Sequence, residues 1–183
     1  MIDGATILLA EDREDDIILI QRAFKEGGLR YPLMVVRDGE EAISYLSGVG
    51  RYSNRELYPV PALFLLDLTL PLTDGFEVLR WMRSRPELRD LPVVVLTASD
   101  KIRDVNQAYR LGAYSFLVKG LDFQDVIGLA QSISEYWMKL KKNRSAQLPP
   151  QLWPPKENLA PPSVPAEYPQ PPPDSPTLGA GPQ

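Results

Sequence analysis

The feature that most constrains the fold of this sequence is a regular alternation between short apolar runs and amphipathic stretches. The apolar runs have the length of strands, and the stretches between them carry apolar residues at helical spacing. Strands that alternate with helices favour right-handed crossovers, and therefore a parallel sheet with helices on both faces. We predict a doubly wound α/β domain with strands at residues 6–10, 32–37, 62–66, 91–98 and 115–118.

The amphipathic stretches predict five helices. In the first, apolar residues at positions 17, 20, 23 and 24 share one face, and glycine ends the stretch, as is common for helices. A polar loop at 47–60 is longer than most connections in such folds. For this class we expect the flavodoxin-like strand order 2-1-3-4-5, with functional groups at the carboxyl ends of the strands. The helices are predicted at 15–28, 38–46, 75–84, 101–113 and 122–142.

The last part of the chain differs in composition from the rest. Of the 19 prolines, 13 follow residue 148. A segment so rich in proline and so poor in large apolar side chains cannot bury enough surface to offset its chain entropy. We expect residues 1–144 to form one globular domain and residues 145–183 to be a disordered tail. A docking role for its proline motifs, such as PSVP at 162–165, is the open alternative.

The residue types that are missing restrict the chemistry. The 183 residues include no cysteine and no histidine, which excludes disulfides, thiolate or imidazole metal ligands and Ser–His triads. The function must therefore use carboxylates, hydroxyls, lysines or a metal ion. The net charge of −4 does not favour nucleic acid or a membrane surface as a partner. Without a signal-like start or an apolar run near the roughly 18 residues of a membrane span, the protein is expected to be cytoplasmic.

Three carboxylates follow the first and third predicted strands. Glu11 and Asp12 come directly after the first strand, and Asp67 comes directly after the third. In the expected order these two strands are neighbours, so their carboxyl ends meet at one edge of the sheet. Like charges this close repel unless a cation joins them. Because all the available ligands are oxygens, we predict a Mg²⁺ or Mn²⁺ site.

Two further side chains lie near the carboxyl ends of the fourth and fifth predicted strands, at the same edge. Thr97 ends the run VVVLT, and Lys119 ends the run FLVK. Each alone is commonly a satisfied hydroxyl or a solvated charge, but together with Asp67 and a cation they suit phosphoryl transfer. The cation, the ammonium and the hydroxyl can each stabilise a phosphoryl oxygen. Asp67 would then be the nucleophile, and the product would be an aspartyl phosphate.

The segments ILLAEDREDD, LFLLDLTLPLTDGFEVL, PVVVLTAS and SFLVKG carry a family resemblance. They resemble the receiver domain of two-component response regulators, the CheY-like family, over residues 5 to about 140. The closest likeness is to small stand-alone receivers, several of which partner phytochrome-type histidine kinases. The resemblance implies Asp67 as the phosphoacceptor, with Asp12 and Asp67 as metal ligands. It also implies that Glu11 acts largely through water and that the carbonyl of Thr69 completes the metal shell.

The resemblance extends to the fourth and fifth strands. It implies that Thr97 and Lys119 contact the phosphoryl group, and that Phe116 is the aromatic side chain whose rotamer follows that contact; a plain core role for Phe116 is the alternative. The family usually has proline after this lysine, whereas here Gly120 follows. Glycine permits unusual backbone angles without enforcing them, so the loop after Lys119 is expected to be less restrained.

These inferences predict a signalling switch rather than an enzyme, with at most self-phosphorylation and self-dephosphorylation. A histidine kinase supplies the phosphoryl group, because the chain has no histidine of its own. Output is then protein contact, and we expect a homodimer or target contact through helix 101–113, strand 115–118 and helix 122–142. That face carries Tyr109 and the aromatic-rich segment 136–138, and exposed aromatic residues are common interface anchors.

Two other functions compete with this prediction. A phosphatase of the haloacid-dehalogenase type also uses an aspartyl nucleophile, but it requires Asp-x-Asp, and Thr69 occupies the second position here. A receiver-shaped interaction module that is never phosphorylated is supported only by Gly120. Turnover of a small phosphate ester would favour the first alternative, and failure to bind a phosphate analogue would favour the second.

Overall fold

The protein contains a five-stranded parallel sheet in the order β2-β1-β3-β4-β5, as predicted. The computed structural model describes residues 6–98, 102–119 and 123–142, with the backbone alone at residues 102 and 136–142. The predicted tail, Gly120 and the side chains of 136–138 lie outside the described residues. The strands are β1 (Ile7–Ala10), β2 (Leu33–Val36), β3 (Leu63–Asp67), β4 (Val93–Thr97) and β5 (Ser115–Val118).

Five helices connect and follow the strands, and their ends differ slightly from the prediction. The first helix ends before the glycine pair, because Gly28 turns the chain at a φ of 76° and the Leu29 N–H bonds back to the Phe24 carbonyl at 2.9 Å. The fourth ends before Gly112, which has a φ of 82°. The helices are α1 (Glu14–Glu26), α2 (Gly39–Ser47), α3 (Gly75–Arg83), α4 (Ile102–Arg110) and α5 (Phe123–Lys142), with 3₁₀ turns at Gly50–Tyr52 and Pro86–Leu88.

The core lies on both faces of the sheet. In β1, Leu8 and Ala10 point to the layer that includes α2 and α3, whereas Ile7 and Leu9 point to the layer of α1 and α5. All four residues are fully buried, as expected for a strand covered on both sides. The predicted apolar face of α1 is buried in the second layer, together with the described part of the predicted α5 face. These residues are Ile17, Ile20, Ala23, Phe24, Val126, Leu129 and Ile133.

Most of the connection from α2 to β3 packs against α2, and we call its residues 48–60 the 48–60 loop. Its central residue is Arg55, whose guanidinium donates to the carbonyls of Tyr45 and Leu46 at 2.9 Å each and of Tyr58 at 3.2 Å. Two of these carbonyls belong to the last turn of α2, where the Tyr45 carbonyl also accepts the Gly48 N–H at 3.1 Å. Arg55 therefore caps the helix and holds the loop on it.

Tyrosines fill the space under the 48–60 loop. Tyr45, Tyr52 and Tyr58 have ring centroids 4.9–6.1 Å apart in tilted or edge-to-face arrangements, which aromatic pairs prefer. The Tyr52 hydroxyl donates to Glu41 at 2.8 Å and accepts from Arg51 at 2.5 Å. Burial raises the pKa of Tyr45 and of Tyr52, so both hydroxyls stay protonated at neutral pH. The sequence predicted a polar loop here and missed this packed cluster.

Candidate functional site

Asp67 is buried at the carboxyl end of β3, where only 2% of its surface is exposed. Its two carboxylate oxygens have different partners. Oδ1 accepts the backbone N–H of Thr69 at 3.0 Å, and Oδ2 accepts from the Lys119 ammonium at 2.6 Å. These bonds offset the cost of burying a carboxylate at the end of an apolar strand. They also orient the carboxylate that the sequence predicts to be the nucleophile.

Glu11 follows β1 and is fully buried beside Asp67. Its Oε1 accepts the Arg13 N–H at 3.2 Å, and its Oε2 lies 2.6 Å from the Lys119 nitrogen. Burial raises the pKa of Glu11, and the nearby charge of Asp67 raises it further, while the Lys119 ammonium lowers it in part. One ammonium thus partly neutralises two buried carboxylates.

The three predicted metal ligands come together at this edge. Carboxylate oxygens of Glu11, Asp12 and Asp67 all lie within 4.8 Å of one another, and Asp12 is exposed to solvent. The contact of the buried Glu11 Oε2 with the Lys119 ammonium is an ion pair at 2.6 Å. A site with three clustered carboxylates, an open side and only oxygen donors fits a hard divalent cation such as Mg²⁺ or Mn²⁺.

Lys119 directly follows β5 and reaches across the site. Its backbone N–H donates to the Thr97 carbonyl at 2.5 Å, which continues the pairing of β4 with β5 by one residue. Its ammonium contacts Asp67 and Glu11 at 2.6 Å each and Asp16 at 3.2 Å. Burial alone would lower the pKa of Lys119, but bonds to Asp67 and Glu11 outweigh it and raise the pKa, so the side chain stays charged.

The other predicted residues lie around this centre. Thr97 ends β4, beside β3, and is 3% exposed. Thr69 is exposed, and its backbone N–H, not its side chain, contacts Asp67. Phe116 is half-buried on β5 and packs edge-to-face on Tyr109, with ring centroids 5.8 Å apart. Phe116 therefore joins β5 to α4. This contact is what the predicted role of Phe116, as a link between the site and the α4 surface, requires.

A glycine that sequence reasoning passed over shapes the end of β3. Gly75 begins α3, and a Cβ at this position would lie 2.3 Å from the Asp67 carbonyl oxygen. Asp74 and Glu77 form a capping box at the same helix start, with Asp74 accepting the Glu77 N–H at 2.8 Å. The start of α3 is thereby pressed against the backbone of Asp67. The Asp-Gly pair in the sequence was the available signal for this close approach.

Asp16 is the second residue that sequence reasoning missed. It lies in the first turn of α1, next to the buried Ile17 and four residues before the buried Ile20. That position turns its carboxylate towards the sheet edge, where it meets Lys119. The signal was present in the sequence as an acidic residue on the apolar side of an amphipathic helix.

The comparison with protein families decides the identity of the domain. The model of the response regulator receiver domain matches residues 7–131. The chain belongs to the response regulator receiver family. It is therefore a phosphoacceptor domain of two-component signalling, as the resemblance predicted, and nothing in the fold or the family match favours the phosphatase or the non-phosphorylated module.

Individual relatives support a closer placement. The chain is 38% identical over 133 residues to the response regulator Rcp1 of Synechocystis sp., covering 73% of this chain and 88% of that one. The crystal structure of the phosphorylated cyanobacterial phytochrome response regulator RcpA has a TM-score of 0.65 at 37% identity, covering 73% and 94% of the two chains. The Mn²⁺-bound form of Rcp1 has a TM-score of 0.65 at 36% identity, covering 79% and 99%. This receiver is thus similar to phytochrome-associated response regulators over nearly their whole length.

Among the helices that the structure describes, none combines the length and the apolar character needed to cross a membrane.

Proposed function

We propose that this receiver takes a phosphoryl group from a histidine kinase on Asp67. The observation that carries the proposal is the burial of Asp67 within hydrogen-bonding distance of Lys119, at the family's switch-point edge. An Asp67 carboxylate oxygen attacks the phosphorus, and the P–N bond of the donor phosphohistidine breaks. The bonding electron pair goes to the departing imidazole nitrogen, which becomes protonated. The product is an aspartyl phosphate.

A divalent cation would be held by Asp12, Asp67 and Glu11, with the Thr69 carbonyl as a further ligand. When bound, Mg²⁺ or Mn²⁺ would offset the charge of the phosphoryl oxygens. The carboxylate cluster supports this assignment, as does the Mn²⁺-bound structure of the relative Rcp1. We assign Glu11 the outermost role, through water, because its Oε2 already faces Lys119.

Lys119 and Thr97 are proposed to contact the phosphoryl group directly. The Lys119 ammonium has three donors and is charged, so it can turn from Asp67 to a phosphoryl oxygen without losing its other contacts. Thr97 would move towards the same group and vacate space behind it. Phe116 could then turn inward and release its contact with Tyr109, which changes the surface of α4 and β5.

The test is direct phosphorylation of the full chain. Incubation with Mg²⁺ and acetyl phosphate, followed by rapid quenching and mass spectrometry, should place a single adduct on Asp67. Asp67→Asn should carry none, whereas the exposed Asp90→Asn, which makes the same chemical change away from the site, should be modified like the wild type. An adduct at another residue, or none in the wild type, would contradict the proposal.

We further propose a phytochrome-type histidine kinase as the donor and a homodimer or target contact on the α4, β5 and α5 face. The similarity to phytochrome response regulators supports the donor. The Tyr109–Phe116 contact supports a switchable face, because it joins β5 to the surface of α4. Sedimentation with and without beryllofluoride should show a change of association that Tyr109→Glu and Tyr136→Glu remove. Arg30→Glu, at an exposed position away from this face, should have no effect. An unchanged response in the tyrosine variants would show that this face does not mediate the association.

A further inference from the structure

The ammonium of Lys119 contacts three carboxylates, and only two of them belong to the carboxylate cluster. Two of them, Glu11 and Asp67, belong to the cluster whose oxygens could share a cation. The third, Asp16, lies on α1 outside that cluster and contacts the Lys119 nitrogen at 3.2 Å. It is 26% exposed and also lies 3.5 Å from the Arg13 guanidinium. Lys119 thus contacts one carboxylate, that of Asp16, which is neither in the carboxylate cluster nor the proposed phosphoacceptor.

The charges of the site favour the contact between Lys119 and Asp16 both before and after phosphorylation of Asp67. When Asp67 is phosphorylated, its carboxylate becomes an acyl phosphate and loses the negative charge that attracts the ammonium. When a cation is bound, Glu11 shares its charge with that cation. Asp16 keeps its full charge in both situations. An ammonium with three donors can hold Asp16 with one N–H and a phosphoryl oxygen with another.

The residue type that follows Lys119 in the sequence adds no restraint of its own. Gly120 follows, where the family usually has proline, and glycine does not restrict the backbone. The backbone of Lys119 is anchored by its N–H to the Thr97 carbonyl. The far end of the side chain is anchored by Asp16 from another element of the fold. We propose that Asp16 is a positioning residue that holds the Lys119 ammonium at the place where the phosphoryl group arrives.

The neighbouring residue supplies a matched control. Asp15 belongs to the same helical turn and has the same side chain, but it is exposed, whereas Asp16 is partly buried against Lys119. Asp15→Asn and Asp16→Asn therefore make the same change in charge and composition. Asp16→Glu keeps the charge with a longer arm and serves as the conservative variant. All three are made in the full chain.

The first measurement does not depend on phosphorylation. The ¹⁵N and proton signals of the Lys119 ammonium, assigned with Lys119→Arg, report its contacts and its exchange with water in the presence of Mg²⁺. Asp16→Asn should shift this signal and speed its exchange. Asp15→Asn should leave it unchanged, and Asp16→Glu should restore it in part. Identical ammonium signals in the two asparagine variants would overturn the proposal.

The second measurement concerns the reaction, and this part rests on the proposed function of Asp67. Asp16→Asn should slow phosphorylation by acetyl phosphate by about two- to fivefold relative to Asp15→Asn, as expected for the loss of a partly exposed ion pair at a reacting group. Mg²⁺ affinity should be equal in the two variants. If only Asp16→Asn loses Mg²⁺ binding, Asp16 is a metal ligand and the positioning role is wrong. If the wild type accepts no phosphoryl group, the function of Asp67 fails, while the ammonium signal still decides the role of Asp16.

Discussion

The sheet edge around Asp67 and the 48–60 loop both bring charged groups below the surface, but they balance them differently. At the edge, Glu11 and Asp67 share the single ammonium of Lys119, so two buried carboxylates face one positive charge. Under the loop, the Arg55 guanidinium donates to three carbonyl oxygens. The Tyr52 hydroxyl there both donates and accepts. One network has an excess of negative charge, and the other has its donors and acceptors matched.

The difference shows which network supports the fold and which one serves a ligand. A matched network stabilises the native state, because breaking any bond leaves a buried polar group without a partner. An excess of carboxylates has the opposite effect, since like charges at short distance raise the free energy of the folded protein. A cation relieves that repulsion. We therefore expect the loop to respond to mutation through stability and the edge to respond through binding.

The largest effect on stability is expected from Arg55→Ala. The substitution removes three hydrogen bonds, to the carbonyls of Tyr45, Leu46 and Tyr58, and with them the tie between the loop and the last turn of α2. The free energy of unfolding should therefore fall by about 2–3 kcal/mol. Urea unfolding measures it, and the exposed Arg30→Ala is the control. Phosphorylation of the folded fraction should be unaffected. A loss below about 0.5 kcal/mol would mean that the loop network is not a stabilising one.

Next in size is the effect of Asp12→Asn, which tests the edge through metal binding. The loss of one oxygen ligand with its charge should weaken Mg²⁺ binding at least tenfold, or about 1.4 kcal/mol. In the wild type, Mg²⁺ should raise the melting temperature, because it binds only the folded protein, and this rise should shrink in the variant. Without Mg²⁺ the variant should be as stable as the wild type, or more stable. Equal Mg²⁺ affinity in both proteins would remove Asp12 from the metal site.

The smallest effect is expected from truncation after residue 144, which removes a segment that belongs to neither network. The predicted tail is rich in proline and poor in the large apolar residues of a core. The melting temperature of residues 1–144 should therefore match that of the full chain within about 1 °C, which corresponds to only a few tenths of a kcal/mol. Differential scanning calorimetry on both proteins measures it. A clear drop would place tail residues in contact with the domain.

Local sequence patterns predicted the strands of this fold well. The apolar runs predict the five strands, because a strand buried on both faces must be apolar throughout, and all of β1 and β3 is buried. Gly28 and Gly112 end helices slightly earlier than the apolar spacing suggested, since their positive φ turns the chain. Asp67 and Lys119 were predicted because each directly follows an apolar strand, and the parallel order brings those ends together.

Contacts between distant elements were less predictable. The apolar side of α1 indicates that Asp16 faces the sheet, but its contact with Lys119 depends on how the helix crosses the sheet edge. The tyrosines under the 48–60 loop, too, come together only when the loop folds back on α2.

The sequence by itself therefore determined the alternation of elements, the sheet order expected for its class and the carboxylates at the strand ends, since these follow from side-chain chemistry and periodicity. Only the tertiary structure decided that Lys119 is shared among Glu11, Asp67 and Asp16, and that Arg55 is matched to its carbonyls. The physical reason is distance. Electrostatic and hydrogen-bond energies depend on separations of a few ångströms between groups far apart in the chain, and those separations exist only once the helices have packed on the sheet.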